Sequence, residues 1–353
     1  MRAALTVLTT LVVLGAAAEV GVVVSRHHRS ATAAPLSSTT PPSTGSSTTT
    51  TTTANGPDCP LTGTPAPGGT VPQRPALAMK VDNYPTARPQ SGLDHADIVF
   101  EEPVEGGITR LVAVFQCHQG GLVGPLRSAR YPDLGIADLL SRPIFAHVGG
   151  INPILSLIRS GNLVDRDLRG WNITQHPPGR VAPYDTYATT AATWATLPSD
   201  HTPPAPVFSY GPAPQGSPVL QVHIPFSWAS DETWTWSAQT SSWHLAYSGV
   251  PAANADGTPV TATNVVVQTV QTSVGPWVEN SLGAHEVEVN ATSGGPVLVL
   301  RNGEAITGTW SRASLGAPLR LTTTGGAPLP LAPGTTWVSM VPSQIPVTAA
   351  PAG

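Results

Sequence analysis

KVDNYPTARPQSGLDHADIVFEEPVEGGITRLVAVFQCHQGGLVGPLRSAR, residues 80–130, is the stretch that decides the fold. Its segment Ile108–His118 is rich in β-branched and apolar residues in a mixed pattern, which predicts a central strand with both faces covered. Ala96–Glu101 predicts a neighbouring strand. Only 11% of the chain is charged, yet charges concentrate in this stretch. It therefore predicts both the centre of a sheet and the place of any chemistry.

Strands and helices alternate around this centre. Ala76–Asp82 is a short apolar run typical of a buried strand. Pro132 begins a segment typical of a helix, and Ile151–Ser160 predicts another that Gly161 ends. Strands interleaved with helices imply an α+β or α/β first domain. We therefore expect residues 70–203 to form an α+β domain, a mixed α/β layered sandwich.

The second half of the chain has a different pattern. From Val207 onward, short segments of β-forming residues recur between turns, and no helical period appears. Arg301–Glu304 predicts a hairpin, because Asn-Gly accepts the positive φ values of a type I′ turn. Six of the nine tryptophans lie between Trp228 and Trp310 and are suited to a core or a sheet surface. We expect residues 204–345 to form a mostly β domain, followed by a tail at residues 346–353.

The N-terminal residues 1–29 contain an apolar segment at residues 5–24. Twenty residues at the helical rise span about 30 Å of hydrocarbon. Ala16–Ala18 resembles a cleavage site of a secretory signal peptide, whereas the second apolar run, Val20–Val24, favours an uncleaved signal anchor. We prefer the anchor, and cleavage remains the alternative.

Residues 30–69 are predicted to be a stalk and linker. The first part, up to Pro57, is rich in Ser, Thr and Pro and cannot bury enough apolar surface to fold. Residues 57–75 are rich in Pro and Gly, so folded structure should begin at Ala76. Such a stalk is typical of exported proteins and places the body of the protein outside the cytoplasm, tethered to the membrane or secreted if the signal is cleaved.

The two cysteines, Cys59 and Cys117, have no metal-type spacing. In an oxidising compartment they could form a disulfide between the start of the folded part and the sheet. Two unpaired thiols are the alternative, since pairing cannot be deduced from sequence.

Several function classes find no support. A net charge of −4 without a basic run argues against nucleic-acid binding. The histidines are scattered, and the chain has no Walker loop, GxGxxG fingerprint or GxSxG elbow. We expect neither a metal nor a cofactor.

The carboxylates Glu101, Glu102 and Glu105 are the first candidates for chemistry. Neighbours on a strand point to opposite faces, so at most two of the three share a site. Paired carboxylates can act as acid and base in glycoside cleavage. Ion pairs with Arg110 and its neighbours are the more common use of such residues.

Arg127 and Arg130 are the second candidates. They are spaced i, i+3 across a predicted helix start, so their guanidinium groups could share a face. Together with Ser128 they could bind a phosphate or a carboxylate. The alternative is a salt-bridge network that holds the loop around Glu101–Glu105 against the helix.

His147 precedes Gly149 and Gly150 at the end of a predicted strand, where ligands approach α/β sheets. With Asp82 it could serve as a base, although a lone histidine is more often structural.

Longer motifs give a resemblance to a known family. Residues 80–115 together with GPLRSAR (124–130) and HVGG (147–150) resemble the N-terminal domain of the YerB-like bacterial envelope proteins, a family of unknown function. Ala182–Tyr187, NVVVQ (264–268), LRNGEAITGTW (300–310) and PGTTWVSMVP (333–342) resemble its C-terminal domain. The resemblance covers about residues 70–345.

The resemblance implies an exported, membrane-tethered, two-domain body, often attached as a lipoprotein. Residues 10–30 contain no cysteine for lipidation, so the apolar helix would be the anchor in the bacterial cell membrane. The family supplies no catalytic residues that can be transferred to this chain.

Two functional hypotheses remain. In the first, the protein is a membrane-anchored extracytoplasmic binding or accessory protein. Its α+β domain would recognise an anionic ligand, such as a cell-wall polymer or peptide, through Arg88, Arg110, Arg127 and Arg130, while the β domain contacts a partner such as an envelope protein. The further candidate site residues are Ser128, Asp82, Glu101, Glu105 and His147. In the second, it is an envelope hydrolase or transferase that uses Glu101 or Glu105 with His147 and Asp82, which requires these side chains to line one cleft.

Overall fold

The computed structural model describes residues 56–197 and 203–352. The expected anchor at residues 5–24 and the Ser/Thr-rich stalk up to residue 55 lie outside these residues. Within the described part of the chain, no helix is both long and apolar enough to cross a membrane.

The first half of the chain mixes strands with short helices. Its strands are β1 (Leu77–Asp82), β2 (Ile98–Pro103), β3 (Thr109–Phe115), β4 (Leu122–Val123), β5 (Ile144–His147), β6 (Val164–Asp167), β7 (Thr174–Gln175) and β8 (Tyr187–Thr189). Its α-helices are α1 (Pro132–Ala137), α2 (Asn152–Ser160) and α3 (Thr190–Trp194). Proline stands at the start of both α1 and α2, where its missing N–H leaves no helical hydrogen bond unmade.

The second half consists of strands and turns. The strands are β9 (Ser217–Ser227), β10 (Ser230–Ser237), β11 (Ser242–Tyr247), β12 (Val250–Pro251), β13 (Thr261–Ala262), β14 (Asn264–Val270), β15 (Thr272–Val278), β16 (His285–Val289), β17 (Ser293–Arg301), β18 (Glu304–Arg312), β19 (Arg320–Thr323), β20 (Thr336–Pro342) and β21 (Thr348–Pro351). The mostly β character expected for this half is confirmed, whereas the layered sandwich expected for residues 70–203 stays a prediction.

One continuous sheet runs through both halves. Its strand order is β12-β11-β10-β9-β18-β17-β14-β20-β2-β3-β1-β5-β6. Strand β20 lies in the middle, pairing in parallel with β14 on one edge and with β2 on the other. Every residue of β20 is buried, as expected for a strand paired on both edges and covered on both faces. The two halves therefore share one sheet and its core.

The central strands have two different faces. On the helix face, Phe100 and Val112 pack with Ile136 of α1 and Ile154 of α2. On the opposite tryptophan face, the sheet folds back so that Trp234 of β10 contacts Trp337 of β20, with ring centroids 5.3 Å apart. Residues of one strand alternate between these two faces, and this alternation decides where each charged side chain lies.

Residues 57–75 differ from the linker that their composition predicts. Cys59 and Leu61 are buried, and Cys59 forms a disulfide with Cys117 at the end of β3. The indole ring of Trp194 also donates to the carbonyl of Pro75 at 3.2 Å. A Pro- and Gly-rich segment can stay ordered when a covalent link and buried apolar side chains hold it to the sheet, because these offset the entropy of ordering the chain.

The Asn-Gly turn is found as the sequence predicts. Strand β17 ends at Arg301 and β18 begins at Glu304. Asn302 and Gly303 both have positive φ values, 51° and 78°. This matches the requirement of a type I′ hairpin turn.

We expect the intact chain to unfold in a single transition in urea, because β20 joins the two halves. A fragment of residues 56–203 should fail to fold alone, since β2 would keep β3 but lose β20, which exposes the edge beside Val99 and Phe100. Tryptophan fluorescence follows the urea transition of the intact chain, and amide hydrogen exchange of β3 shows whether the fragment folds. Protected β3 amides in the isolated fragment would contradict this, and co-expression with residues 204–352 serves as the control.

Candidate functional site

Charged side chains gather on the helix face, where β1, β2 and β3 meet the loop before α1. This buried ion cluster consists of Lys80, Asp82, Glu102, Glu105, Arg110, Arg127, Arg130, Asp133 and Glu279. All of them except Arg127 are buried.

The sheet register brings the cluster together. Arg110 on β3 lies directly opposite Asp82 of β1 and Glu102 of β2. Lys80 lies two residues before Asp82 and so shares its face. Charges that are distant in sequence thus become neighbours, because three strands present the same face at the same level.

Lys80, the chain's single lysine, is fully buried. Its Nζ donates to Glu102 and, at 2.8 Å, to Oδ1 of Asp133 in α1. The other oxygen of Asp133 accepts the backbone N–H of Arg130 at 2.6 Å. Lys80 therefore joins the central sheet to the start of α1 inside the core.

Glu105 accepts hydrogen bonds from two arginines. Arg130 donates from Nε at 2.7 Å, and Arg110 donates from Nη2 at 3.3 Å. Burial alone would raise the pKa of Glu105, but the hydrogen bond from Arg130 and the charges of both arginines lower this pKa to about 2. Burial, together with the charge of Arg130, lowers the pKa of Arg110 to about 10. Glu105 therefore carries its charge at neutral pH.

The pKa values of two other carboxyl groups in the cluster are raised. Burial and the nearby Asp133 raise the pKa of Glu102 to about 8, against the charge of Lys80. Burial also raises the pKa of Glu279 to about 7; the charge of Arg130 opposes this rise and that of Glu105 adds to it. Glu279 follows strand β15 and reaches within 3.3 Å of Nε of Arg130. The cluster holds five acidic and four basic groups, so uptake of one proton makes it neutral.

The structure divides the four arginines of the predicted anion site. Arg110 and Arg130 are buried and paired with Glu105, because a buried guanidinium group requires carboxylate partners. The expected shared helix face for Arg127 and Arg130 is wrong: α1 begins only at Pro132, so both arginines lie before it. Arg127 reaches Asp82 while Arg130 reaches Glu105.

Ser128, the hydroxyl residue of the predicted site, contributes its backbone. Its carbonyl accepts from Nη1 of Arg110 at 3.1 Å. It thus supports the ion cluster.

Glu101 lies on the tryptophan face, opposite to Glu105 and Asp82. Its carboxylate accepts from Oγ1 of Thr109 at 2.6 Å and from Nε1 of Trp337 at 3.1 Å. The hydrolase hypothesis combines Glu101 or Glu105 with Asp82 and His147. The sheet separates Glu101 from Asp82, whereas Glu105 shares the face of Asp82 but is paired with Arg110 and Arg130. The alternation expected between Glu101 and Glu102 explains this arrangement.

His147 is fully buried and bound to neighbours in the sheet. Its Nε2 lies 2.9 Å from Oδ1 of Asp165 on β6. Its Nδ1 lies 2.8 Å from the carbonyl of Gly149. Its hydrogen-bonding partners are therefore different from Asp82, the partner proposed from sequence, which binds Arg127.

A second polar cluster surrounds Glu101 and was missed by sequence reasoning. Nδ2 of Asn83 donates to Glu101 and to the hydroxyl of Tyr247, each at 3.0 Å. Burial and the nearby Glu101 raise the pKa of Glu232 in β10. The available signal was the alternation of Glu232 with Trp234 in a strand, which places both side chains on the same inward face.

Two arginines of the predicted anion site, Arg127 and Arg88, are partly exposed to solvent. Nε of Arg127 donates to Oδ2 of Asp82 at 2.6 Å, and 28% of the Arg127 side chain is exposed. Its guanidinium carbon lies 5.9 Å from the ring centre of Tyr184, and this ring stacks with Tyr84 at 6.3 Å. Arg88 is also partly exposed and lies 3.5 Å over the ring of Tyr247.

No group of three or more His, Cys, Asp or Glu residues suited to hold a metal ion occurs within residues 56–197 and 203–352.

Comparisons with known proteins give a consistent picture. Residues 61–202 match the family described as "Protein of unknown function (DUF3048) N-terminal domain", and residues 222–338 match its C-terminal domain. The chain is 28% identical over 296 residues to "Putative lipoprotein YerB" of Bacillus subtilis (strain 168), which covers 80% of this chain and 86% of that protein. The crystal structure of the YerB protein from Bacillus subtilis is similar with a TM-score of 0.70 at 23% identity, over 82% of this chain and 99% of that one. The resemblance seen in the sequence is thereby confirmed, whereas the assignment of Ala182–Tyr187 to the C-terminal domain is wrong, because this segment lies within the match to the N-terminal domain.

We expect Lys80→Met to destabilise the protein by about 3 to 5 kcal/mol, because it removes the buried cation and hydrogen-bond donor that Glu102 and Asp133 share. Urea denaturation at pH 7 measures the change. Arg169→Met is the matched control, since it removes a largely exposed ion pair with Asp167 that should contribute at most about 1 kcal/mol. Equal effects of the two substitutions would contradict this role of Lys80.

We expect stability to fall as pH rises from about 5 to 8. The folded state binds a proton at Glu279 up to about pH 7, whereas the unfolded chain releases it near its ordinary pKa of 4.5, so the unfolding free energy decreases across this window. The shift corresponds to about 2 to 3 kcal/mol. In urea titrations at several pH values, Glu279→Gln should reduce this slope and leave the part that Glu102 contributes through its own raised pKa of about 8. Glu288→Gln should retain the full slope. An unchanged slope in Glu279→Gln would refute the assignment.

Proposed function

Because the chain belongs to the YerB-like family of two-domain proteins of unknown function, we propose that it is an extracytoplasmic accessory protein of the bacterial cell envelope. Its apolar segment at residues 5–24 would hold it at the membrane, with residues 30–55 as the stalk. The relative's name, a lipoprotein, supports a place at the membrane. The disulfide between Cys59 and Cys117 supports an oxidising compartment.

Within this role, the protein recognises an anionic ligand through Arg127 and Arg88. The observation that carries the proposal is the exposure of Arg127 beside the ring of Tyr184. Arg127 uses Nε for Asp82, and its terminal nitrogens donate to no other group within the described residues. They are therefore available to a carboxylate or a phosphate, which a guanidinium group binds well.

Arg88 is the second arginine of the proposed site. Its Nε donates to Asn83 at 3.1 Å, and its Nη2 donates to the carbonyl of Ala229 at 2.9 Å. These contacts and the ring of Tyr247 fix the side chain before any ligand arrives. A pre-oriented charge loses less entropy on binding.

Arg110 and Arg130 have a supporting role in this proposal. They neutralise Glu105 and Asp82 around Arg127 and keep the loop after β2 in place. A ligand that displaced them would leave Glu105 as an uncompensated buried charge, which costs several kcal/mol. The recognition site is therefore smaller than the four arginines that the sequence groups together.

We expect Arg127→Gln to weaken binding of poly-L-glutamate or of pyrophosphate about tenfold. A hydrogen bond to a charged group is worth about 1.5 kcal/mol or more, which corresponds to this factor. Isothermal titration calorimetry at low salt measures the affinities. Arg320→Gln is the matched control, because it removes the same charge at an exposed position on β19. Equal affinities in Arg127→Gln, Arg320→Gln and the parent protein would reject the site.

A further inference from the structure

The two halves of the chain together form an aromatic cleft next to Arg88 and Arg127. We define it by Tyr84, Pro85, Tyr184, Trp228 and Val250. The rings of Tyr84 and Tyr184 are parallel within 2°, and the ring of Trp228 stands at 90° to Tyr84 with centroids 6.0 Å apart. Trp228 and Val250 also line a cavity of about 540 Å³. The ring pair adjoins this cavity through Trp228, whose ring lies against Tyr84, and through Pro85, the residue that follows Tyr84.

The cleft exposes apolar side chains that the fold does not cover. Trp228 is 71% exposed, and Val250 is 67% exposed. Single exposed apolar residues are ordinary on protein surfaces, whereas a contiguous apolar patch marks an interaction site. A cavity of this size lies within the range of ligand-binding clefts.

The walls of the cleft are held in place by contacts made without a ligand. Ala229, next to Trp228, accepts a hydrogen bond from Arg88. Arg180 donates to the carbonyls of Ala87 and Pro89, which belong to the wall that begins at Tyr84. The loop after β1 and the turn between β9 and β10 are therefore tied together, and the cleft is preformed.

The lining of the cavity decides which class of ligand fits. Its residues are Pro85, Arg88, Pro89, Gln90, Trp228, Ala229, Tyr247, Ser248, Val250, Pro251, Ala252 and Ala253, most of which are apolar. A sugar carries hydroxyl groups around its ring, and the few polar side chains of this lining, Arg88, Gln90, Tyr247 and Ser248, can bind only some of them. The mostly apolar lining therefore favours a ligand with fewer polar groups. A prolyl residue has no N–H to lose, and an extended prolyl segment is already ordered before it binds.

Charge adds a second requirement. The guanidinium groups of Arg88, Arg127 and Arg180 surround the loop at Tyr84–Pro89. The nearby acidic groups are Asp82, which is paired with Arg127, Asp185, and the fully buried Glu101 and Glu232 close to Arg88 and Tyr247. Of these charged groups, those that are not buried are three arginines and one carboxylate, Asp185. The surplus of positive charge favours an acidic residue in the ligand.

We propose that the aromatic cleft binds an extended, proline-containing peptide segment of a partner protein that carries an acidic residue beside its prolines. The prolines insert against Tyr84, Trp228 and Val250, as extended prolyl ligands do in aromatic grooves. The acidic residue pairs with Arg127 or Arg88. The inference rests on the proposed function, because it names the class of partner that the same arginines recognise.

The chain's own stalk is a poor occupant. Residues 30–57 contain prolines but neither Asp nor Glu. They supply the prolines that suit the apolar lining, but they lack the acidic residue that would pair with Arg88 or Arg127. A partner with both features is therefore favoured over the stalk.

The test compares synthetic twelve-residue peptides on the full-length protein in detergent, by calorimetry and by quenching of tryptophan fluorescence. (Pro-Pro-Glu)₄ should bind at least tenfold more tightly than (Gly-Gly-Glu)₄, which has the same charge, and than (Pro-Pro-Gln)₄, which has the same prolines. Trp228→Ala and Val250→Ala should each weaken (Pro-Pro-Glu)₄ about tenfold and leave (Gly-Gly-Glu)₄ unchanged. Leu282→Ala is the control, because Leu282 is 92% exposed outside the cleft.

Different failures separate the two proposals. If (Gly-Gly-Glu)₄ binds as tightly as (Pro-Pro-Glu)₄ and still depends on Arg127, the prolyl partner is overturned and the anionic site stands. Tighter binding of trigalacturonic acid that depends on Trp228 would overturn the prolyl partner in favour of a glycan. Equally tight binding of a peptide of residues 35–46 would overturn it in favour of the stalk. If no anionic probe binds in an Arg127-dependent way, both proposals fail.

Discussion

The fold depends on the insertion of β20 between β14 and β2. Both pairings are parallel, so neither can be made by a short hairpin, and each requires a long connection. Between β2 and β20 lie more than two hundred residues, including all of β3 to β19. Contacts of such sequence separation form late, because the loop-closure entropy must be overcome first. The first half of the sheet is therefore complete only after the end of the chain has arrived.

This constraint also explains why charges are tolerated inside the protein. Removing ions from water is unfavourable, and buried ion pairs often contribute little net stability compared with apolar residues. They do restrict the arrangement of the chain, since a shifted register would leave Lys80 or Glu105 without a partner. The ion cluster joins β1, β2, β3, the start of α1 and Glu279 after β15. We infer that it enforces one register for the sheet that the two halves share, at the expense of binding capacity at Arg110 and Arg130.

The sequence predicts local features well and the long-range arrangement poorly. The turn at Asn302 follows from backbone sterics, and the central strand at Ile108–His118 follows from its own residues. The position of β20 depends on partners far along the chain, and no local pattern reveals it. For the same reason, the helix start expected at Arg127 and the linker expected at residues 57–75 differ from the structure. Arg127 is held by a distant carboxylate, and the linker is held by a disulfide to β3.

The candidate site also depends on long-range contacts that no local sequence pattern reveals. Their spacing in the sequence groups Arg127 with Arg130. In the structure the side chain of Arg127 is partly exposed, whereas that of Arg130 is buried. The aromatic cleft joins Tyr84 and Tyr184 of the first half to Trp228 and Val250 of the second, so it exists only when the shared sheet is closed. A ligand that binds the cleft binds only this closed form, and by linkage it stabilises the junction by about 2.7 kcal/mol at a hundredfold excess over its dissociation constant. Binding at the cleft and closure of the sheet around β20 are therefore thermodynamically coupled.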